Sequence, residues 1–339
     1  MKFKTFFTSV AVTTMMAVAP TALSQTPNGG GATVRYQVFE AVGDMLFRVM
    51  DAKFCEQYGL ECKPVRIGAG PAGIQAVIGN SMEVAVITTD AAIRSISGGA
   101  PVTIAHGLGD RVPFYFVARS GLDRPNKDNG YPALMQDFKG KRIGVTGRGA
   151  GTELIARLLL KEAGMSADDV TFVGVGGPPT AFGSLSAQQI DAAMQVPPTA
   201  EICDRSEVCE TVLNLPESDI EPIKALEGTG IVALMKQEYV ENNPQVVEAW
   251  LAAAEDAMAW MKDPANFDEY VALGREHIRL NLENADEILE EALARHLEIS
   301  ALEVSPSAVQ AYVDMLAEGD LLPKASPAER FISDVAPLR

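Results

Sequence analysis

One pattern occurs twice in this chain and narrows its architecture more than any other feature. It is a short apolar strand, a glycine-rich turn, a helix and a further strand. In the first half, the strand at 65–68 runs into Gly68-Ala69-Gly70-Pro71-Ala72-Gly73, a helix over 74–79 and the run Val84-Ala85-Val86-Ile87. In the second half, Arg142-Ile143-Gly144-Val145 runs into Thr146-Gly147-Arg148-Gly149-Ala150-Gly151-Thr152 and a helix over 153–163 that stops at Gly164, a natural C-cap. Strand 170–175, the turn Gly176-Gly177-Pro178-Pro179, a helix over 181–188 and strand 191–194 complete the second unit. Strands alternating with helices build parallel sheets, and a continuous run such as Val84 to Ile87 suits a strand buried on both faces.

Further strands are expected at 34–38, 102–106, 114–118 and 231–234, with a helix over 44–54. Beyond 234 the chain reads as helix, with junctions at Pro264, Pro306, Pro323 and Pro327. At 339 residues the chain exceeds one core, since cores stop growing near ~250–300 residues. The expectation is therefore an α/β protein of two lobes with parallel-type sheets and a helical C-terminal segment. Residues 34–118 with 230–339 form a discontinuous first lobe and 119–229 the second. The hinge is expected near 118–120 and 228–230.

The N-terminus bears on the compartment. Met1-Lys2-Phe3-Lys4 is a short basic start, residues 6–18 are apolar, and Ala22-Leu23-Ser24 precedes Gln25 as a small-residue cleavage site. Residues 1–24 thus read as a signal peptide, too short to span a bilayer, which needs ~20 apolar residues. Export to the periplasm is expected. The four cysteines agree, lying in two close pairs, Cys55 with Cys62 and Cys203 with Cys209. Of the connectivities open to them, short spacing favours these two local bridges, each worth ~2–3 kcal/mol in the chain-entropy model. Neither pair is C-x-x-C, and His106, His277 and His296 lie far from them, so no metal is expected. A net charge of −17 opposes nucleic acid and anionic membrane surfaces as partners.

Several segments, in order, resemble a known family. Ala69-Gly70-Pro71 with its helix, Val84 to Ala92, and Gly99-Ala100-Pro101-Val102 resemble the first lobe of periplasmic solute-binding proteins. Residues 134–145, 147–160 and Gln189-Ile190-Asp191-Ala192-Ala193 resemble their second lobe, and 305–322 resembles their C-terminal stretch. The type most similar is the alkanesulfonate, taurine and thiamine-precursor group of ABC-transporter receptors. The resemblance implies a type II periplasmic binding protein fold and a monomer that closes on a small molecule and delivers it to a membrane permease. TAXI-type receptors of TRAP transporters share many of these features, as would a sensor subunit or a periplasmic enzyme on the same fold. The pair Cys203 and Cys209 and the insertion at 126–130 depart from the group's pattern and leave the ligand open.

Ligands of open parallel sheets sit beyond the carboxyl ends of strands, where helix N-termini favour anions. That position selects Phe39 and Glu40, Ala69 and Gly70, Thr88, Thr89 and Asp90 from the first lobe. From the second it selects Arg148, Gly149, Thr152, Pro178, Phe182 and Gln195. Backbone amides with Thr152 and Arg148 are expected to hold an acidic group, the alternative being a plain turn with Arg148 solvated. Phe39 and Phe182 either enclose an apolar ligand body or simply pack. Glu40 opposes a second anionic group, or accepts a bond from an amine or hydroxyl. Asp90 reads first as a helix cap. The Gly147 to Thr152 loop lacks G-x-G-x-x-G spacing and a P-loop Gly-Lys-Thr, so no cofactor is expected. The histidines and carboxylates show no catalytic grouping, and the protein is not expected to be an enzyme.

Overall fold

The structure, a computed structural model, describes residue 1 and residues 26–339 apart from 222, 320 and 323; the rest of the expected signal peptide lies outside the described residues. The strands are β1 (Ala32–Val38), β2 (Leu60–Arg66), β3 (Val84–Thr88), β4 (Val102–Gly109), β5 (Tyr115–Arg119), β6 (Arg142–Val145), β7 (Thr171–Gly174), β8 (Ala192–Gln195), β9 (Cys209–Asn214) and β10 (Ile231–Lys236). The helices begin with α1 (Met45–Val49), α2 (Gly70–Ile78), α3 (Thr89–Ser97), α4 (Gly151–Glu162), α5 (Pro178–Ser186) and α6 (Thr199–Asp204). They continue with α7 (Gln237–Asn242), α8 (Pro244–Lys262), α9 (Phe267–His277), α10 (Ala285–Ile299) and α11 (Pro306–Glu318).

Two five-stranded sheets result, ordered β2-β1-β3-β10-β4 and β7-β6-β8-β5-β9. The first three strands in each order are mutually parallel, as expected. Each sheet is nevertheless mixed: β10 runs antiparallel to β3 and β4, and β5 antiparallel to β8 and β9. Membership of β5 corrects the expected division at 118. Its apolar run is buried on both faces, which either sheet would accept, so pattern alone does not assign it.

The chain therefore crosses between sheets before Tyr115 and returns between β9 and β10. The crossings lie side by side, with the Gly228 amide donating to the Asp110 carbonyl and the Gly230 amide to the Gly109 carbonyl. A Cβ on Gly230 would lie 1.9 Å from the Arg111 carbonyl oxygen, so only glycine fits there. Residues 118–120 are instead tied into the second sheet, the Arg119 amide donating to Asp191 and that of Ser120 to Val208.

Packing follows burial. One core runs through both lobes, from α2, α3 and α11 to α4 and the face of β5 that carries Phe116. The opposite face of the first sheet is covered by α1, α8, α9 and α10. On α8, Ala249, Ala253, Ala254 and Ala257 form a narrow buried stripe that lets the helix approach closely and seats Trp250. Trp250 stacks at a tilt on Phe47 and Tyr36, at 5.3 and 6.1 Å between ring centres. Its indole N–H donates to His106 Nε2 at 3.1 Å, while His106 Nδ1 meets the Gly107 carbonyl at 2.7 Å. Both ring nitrogens are thus satisfied by a neutral imidazole, and burial holds its pKa down at about 4. Cys55 is bonded to Cys62 and Cys203 to Cys209, which ties α6 to β9.

Candidate functional site

Because β1, β2 and β3 are adjacent and parallel, the loops at their carboxyl ends lie together, and the same holds for β6, β7 and β8. Helices α2, α3, α4 and α5 start at these ends. Their N-cap residues are Ala69, Thr88, Ala150 and Gly177, and none makes a side-chain capping bond. Natural helices usually fill this position with a bonding side chain, so these starts are left to other acceptors. Prolines in the first turns of α2 and α5 remove amide donors there, and the Thr89 amide that opens α3 donates to the Gly230 carbonyl at 3.3 Å, which leaves α4 the richest donor.

The two sets of loops touch. Gly151, the first residue of α4, faces Thr88 of the other lobe so closely that a Cβ would sit 2.5 Å from the threonine side chain. Arg94 Nη2 donates to the Gly149 carbonyl at 3.1 Å. Two shallow surface depressions, one beside Tyr239 and one beside Glu303, lie away from these strand ends.

Of the expected first-lobe residues, Thr88 has a buried Oγ1 without a hydrogen-bond partner. Thr89 is used internally, its Oγ1 donating to the Thr229 carbonyl at 2.7 Å. Asp90 is not the cap of α3, a position held by Thr88; it is buried and paired with Arg94 at 2.9 Å. Glu40 is exposed, has a left-handed backbone (φ 57°) and pairs with Arg66 at 2.9 Å. Phe39 is half-buried against the core behind it, and its amide donates to the Asp44 carboxylate. Burial pushes the Asp44 carboxyl up to about 6, against the pull of the Ala41 and Phe39 amides. Ala69 and Gly70 open α2, where a Cβ on Gly70 would press on Ile87 at 2.9 Å.

In the second lobe the anchoring role expected of Arg148 does not fit its geometry. Its guanidinium pairs with Glu153 at 2.9 Å and donates to the Phe172 carbonyl at 2.8 Å, both in its own lobe. A basic side chain beside a glycine turn was visible in sequence, but its acidic neighbour one helical turn on competes for it. Gly149 has φ 77° and donates its amide to Glu153 at 2.8 Å. Thr152 Oγ1 accepts from the Thr146 amide at 3.1 Å and so shapes the turn. Pro178 is buried at the start of α5, and Phe182 packs half-buried on the outer face of the second sheet. Gln195 is fully buried; its Nε2 donates to the Gly176 carbonyl at 3.1 Å and its Oε1 has no partner.

Residues outside those expectations complete the site. Gln37, buried in β1, donates to the carbonyls of Ile67 and Ala69 and accepts from the Val86 amide at 3.0 Å, which fixes three strand ends at once. Gly73 makes room for it, since a Cβ there would fall 2.0 Å from Gln37 Oε1. Glu201 on α6 is fully buried and paired with Arg295 of α10 at 3.2 Å. Burial raises its carboxyl above the usual carboxylate range, against the pull of Arg295. A long-range pair such as this leaves no local signal in sequence; the one clue to Glu201 is its place shortly after a strand end.

Two facing α/β lobes, each with three parallel strand ends aimed at the other and joined by paired crossings, define the type II periplasmic binding protein fold. Solved structures agree at the level of the fold. A protein from Bordetella bronchiseptica RB50 has a TM-score of 0.75 at 20% identity, covering 89% of this chain and 94% of its own. The alkanesulfonate-binding protein SsuA from Xanthomonas axonopodis pv. citri has a TM-score of 0.68 at 17% identity, covering 89% and 98%. The periplasmic nitrate-binding protein NrtA from Synechocystis PCC 6803 has a TM-score of 0.66 at 14% identity, covering 88% and 84%. None of the curated proteins compared with the chain matches it. The chain belongs to the NMT1/THI5 like family, whose model matches residues 54–266.

Proposed function

We propose that the protein is an extracytoplasmic substrate-binding protein. It captures a small organic molecule with an acidic group and an apolar or aromatic body between its lobes and delivers it to the permease of an ABC importer. The observation that carries this reading is the meeting of helix starts without side-chain caps from both lobes, with a buried unpartnered hydroxyl at Thr88. Such a site offers donors to an anionic group and closes around the remainder. Residues 34–113 with 230–339 act as one lobe and 115–214 as the other, moving about the crossings beside Gly230. Ligand contacts from both lobes favour the closed form that a permease recognises.

Family membership supports a binding role over an enzyme. Neighbours named as parts of ABC systems favour an ABC importer over TRAP membrane subunits. Periplasmic residence rests on the expected signal peptide, and no helix among the described residues is long and apolar enough to cross a membrane. Thermal-shift screening against sulfonates, aromatic carboxylates and pyrimidines tests the reading. A ligand present at a hundred times its Kd stabilises by about 2.7 kcal/mol, a clear rise in Tm. No shift with any of the three classes counts against it.

A further inference from the structure

Helices α6 of the second lobe and α10 of the first meet across the seam, and charged side chains join them. Arg205, at the end of α6, pairs with Glu291 Oε2 on α10. Glu291 Oε1 pairs with Arg295, one turn on in its own helix, at 2.9 Å. Arg295 Nη1 returns to α6 and donates to Glu201 Oε1 at 3.2 Å. The four groups form one line of alternating charge that crosses the seam twice. Each oxygen of Glu291 takes one guanidinium, one from either lobe, and Arg295 divides its two amino groups between the lobes in the same way.

Apolar packing on the two sides is separate. Ala200 and Cys203 of α6 belong to a cluster on the outer face of the second sheet. Leu289, Ala292 and Leu293 of α10 belong to the cluster under α8 and α9. Neither cluster holds a residue of the other lobe, so charge joins the helices where these cores do not. Arg205, Glu291 and Arg295 are 35%, 30% and 32% exposed, which lets solvent ions reach the line.

The carboxyl end of α10 is tied to the crossing between the lobes, where the Asp110 amide donates to the Ile299 carbonyl at 2.8 Å. At ~1.5 Å per residue, Arg295 lies about 6 Å and Glu291 about 12 Å back along the helix from that point. A rotation about the crossing therefore moves α6 further at Glu291 than at Arg295, and the Arg205–Glu291 pair parts first.

We propose that this line is an electrostatic latch that favours the closed lobes, so that ionic strength shifts the balance between closed and open forms. The proposal rests on the lobe movement of the binding reading and not on its ligand. Two forms of one protein that exchange differ by little free energy, so a part-exposed pair that adds little to folding still moves their ratio.

Small-angle scattering tests it on the purified protein, freed of carried ligand by unfolding and refolding with its disulfides intact. Raising sodium chloride from about 0.1 M to about 1 M shortens the Debye length from ~10 Å to ~3 Å. The wild-type radius of gyration should rise over that range, the closed fraction falling about two-fold or more, as loss of one such pair implies. Arg205→Ala and Glu291→Gln should each show the larger radius at the lower salt and respond little to more. Combining them should add nothing, because both remove the same pair. Glu290→Gln is the control: Glu290 pairs with Arg275 inside the first lobe at 3.1 Å, and the variant should keep the wild-type response. All variants should melt near the wild-type temperature. A wild-type radius that ignores salt overturns the latch, as do latch variants that keep the wild-type response or a control that loses it. Each of these is read without ligand, so failure here is distinct from failure of the binding reading.

Discussion

Arg94 of the first lobe reaches the carbonyl oxygen of Gly149 in the second at 3.1 Å, and the same Nη2 is held by Asp90 at 2.9 Å. The aspartate is buried and the arginine 29% exposed, so the pair fixes a cation at the seam between the lobes.

Replacing Arg94 with alanine should act on both stability and binding. Asp90 is left buried without its partner, which should cost about 1–3 kcal/mol once the partial exposure of Arg94 is allowed for. Loss of the bond to Gly149 weakens the closed form and should reduce ligand affinity about three- to ten-fold, or ~0.7–1.4 kcal/mol. Urea unfolding and calorimetry separate the two effects. Adding Asp90→Asn to Arg94→Ala should restore stability but not affinity.

Arg148 should behave differently. Its guanidinium is occupied by Glu153 and Phe172, so Arg148→Ala should leave ligand affinity within about two-fold of wild type, ~0.4 kcal/mol. Glu153 keeps a second partner in Arg157 at 2.6 Å, so stability should fall by less than about 1 kcal/mol. A ten-fold loss of affinity in calorimetry would return Arg148 to the ligand site.

The contrast between Arg94 and Arg148 shows what could be read from sequence. Local order was legible: the run Val84 to Ile87 and the turns after β2 and β6 announced parallel strands ending in helix starts, and the short cysteine spacings announced the bridges. The partner of a charged side chain was not. Arg148 stood beside a promising turn but is captured by Glu153 on the following helix, whereas Arg94 looks like an ordinary helical residue until the lobes meet. Sheet membership of β5 was hidden for a related reason, since a strand buried on both faces carries no mark of its neighbours. Gln37 and Glu201 act on distant segments of chain, and no periodicity encodes that.

The bridges Cys55–Cys62 and Cys203–Cys209 should leave the purified protein without reactive thiols. Titration of the denatured, unreduced protein with a thiol reagent checks this, and four reactive groups would contradict it. Full reduction should lower stability by ~2–3 kcal/mol for each bridge, measured as a shift of the urea midpoint.

Acid should destabilise the protein before its surface carboxylates titrate. His106 and His296 are buried and neutral, each with its pKa lowered from 6.5 to about 4. The unfolded chain takes up protons at these sites as pH falls below about 6.5, and the folded chain only near 4. Stability is therefore lost across that window, by about 3 kcal/mol for each histidine. Asp44, raised from 3.8 to about 6, works in the opposite sense and offsets about one of the two. Urea unfolding from pH 7 to 4 should show the net loss, and His106→Gln should flatten the slope.

Closure of the two lobes on a ligand at the strand ends is best tested at Gly151. A valine there meets the Thr88 side chain across the seam, because even a Cβ lies 2.5 Å from it. Calorimetry and small-angle scattering on wild type and Gly151→Val, with a ligand found by thermal shift, make the comparison. Wild type should bind one ligand per chain and become more compact on binding. Gly151→Val should melt unliganded near the wild-type temperature, fail to compact, and bind at least ten-fold more weakly, a loss of about 1.4 kcal/mol. Equal affinity and equal compaction in the two proteins would contradict a site formed between the lobes.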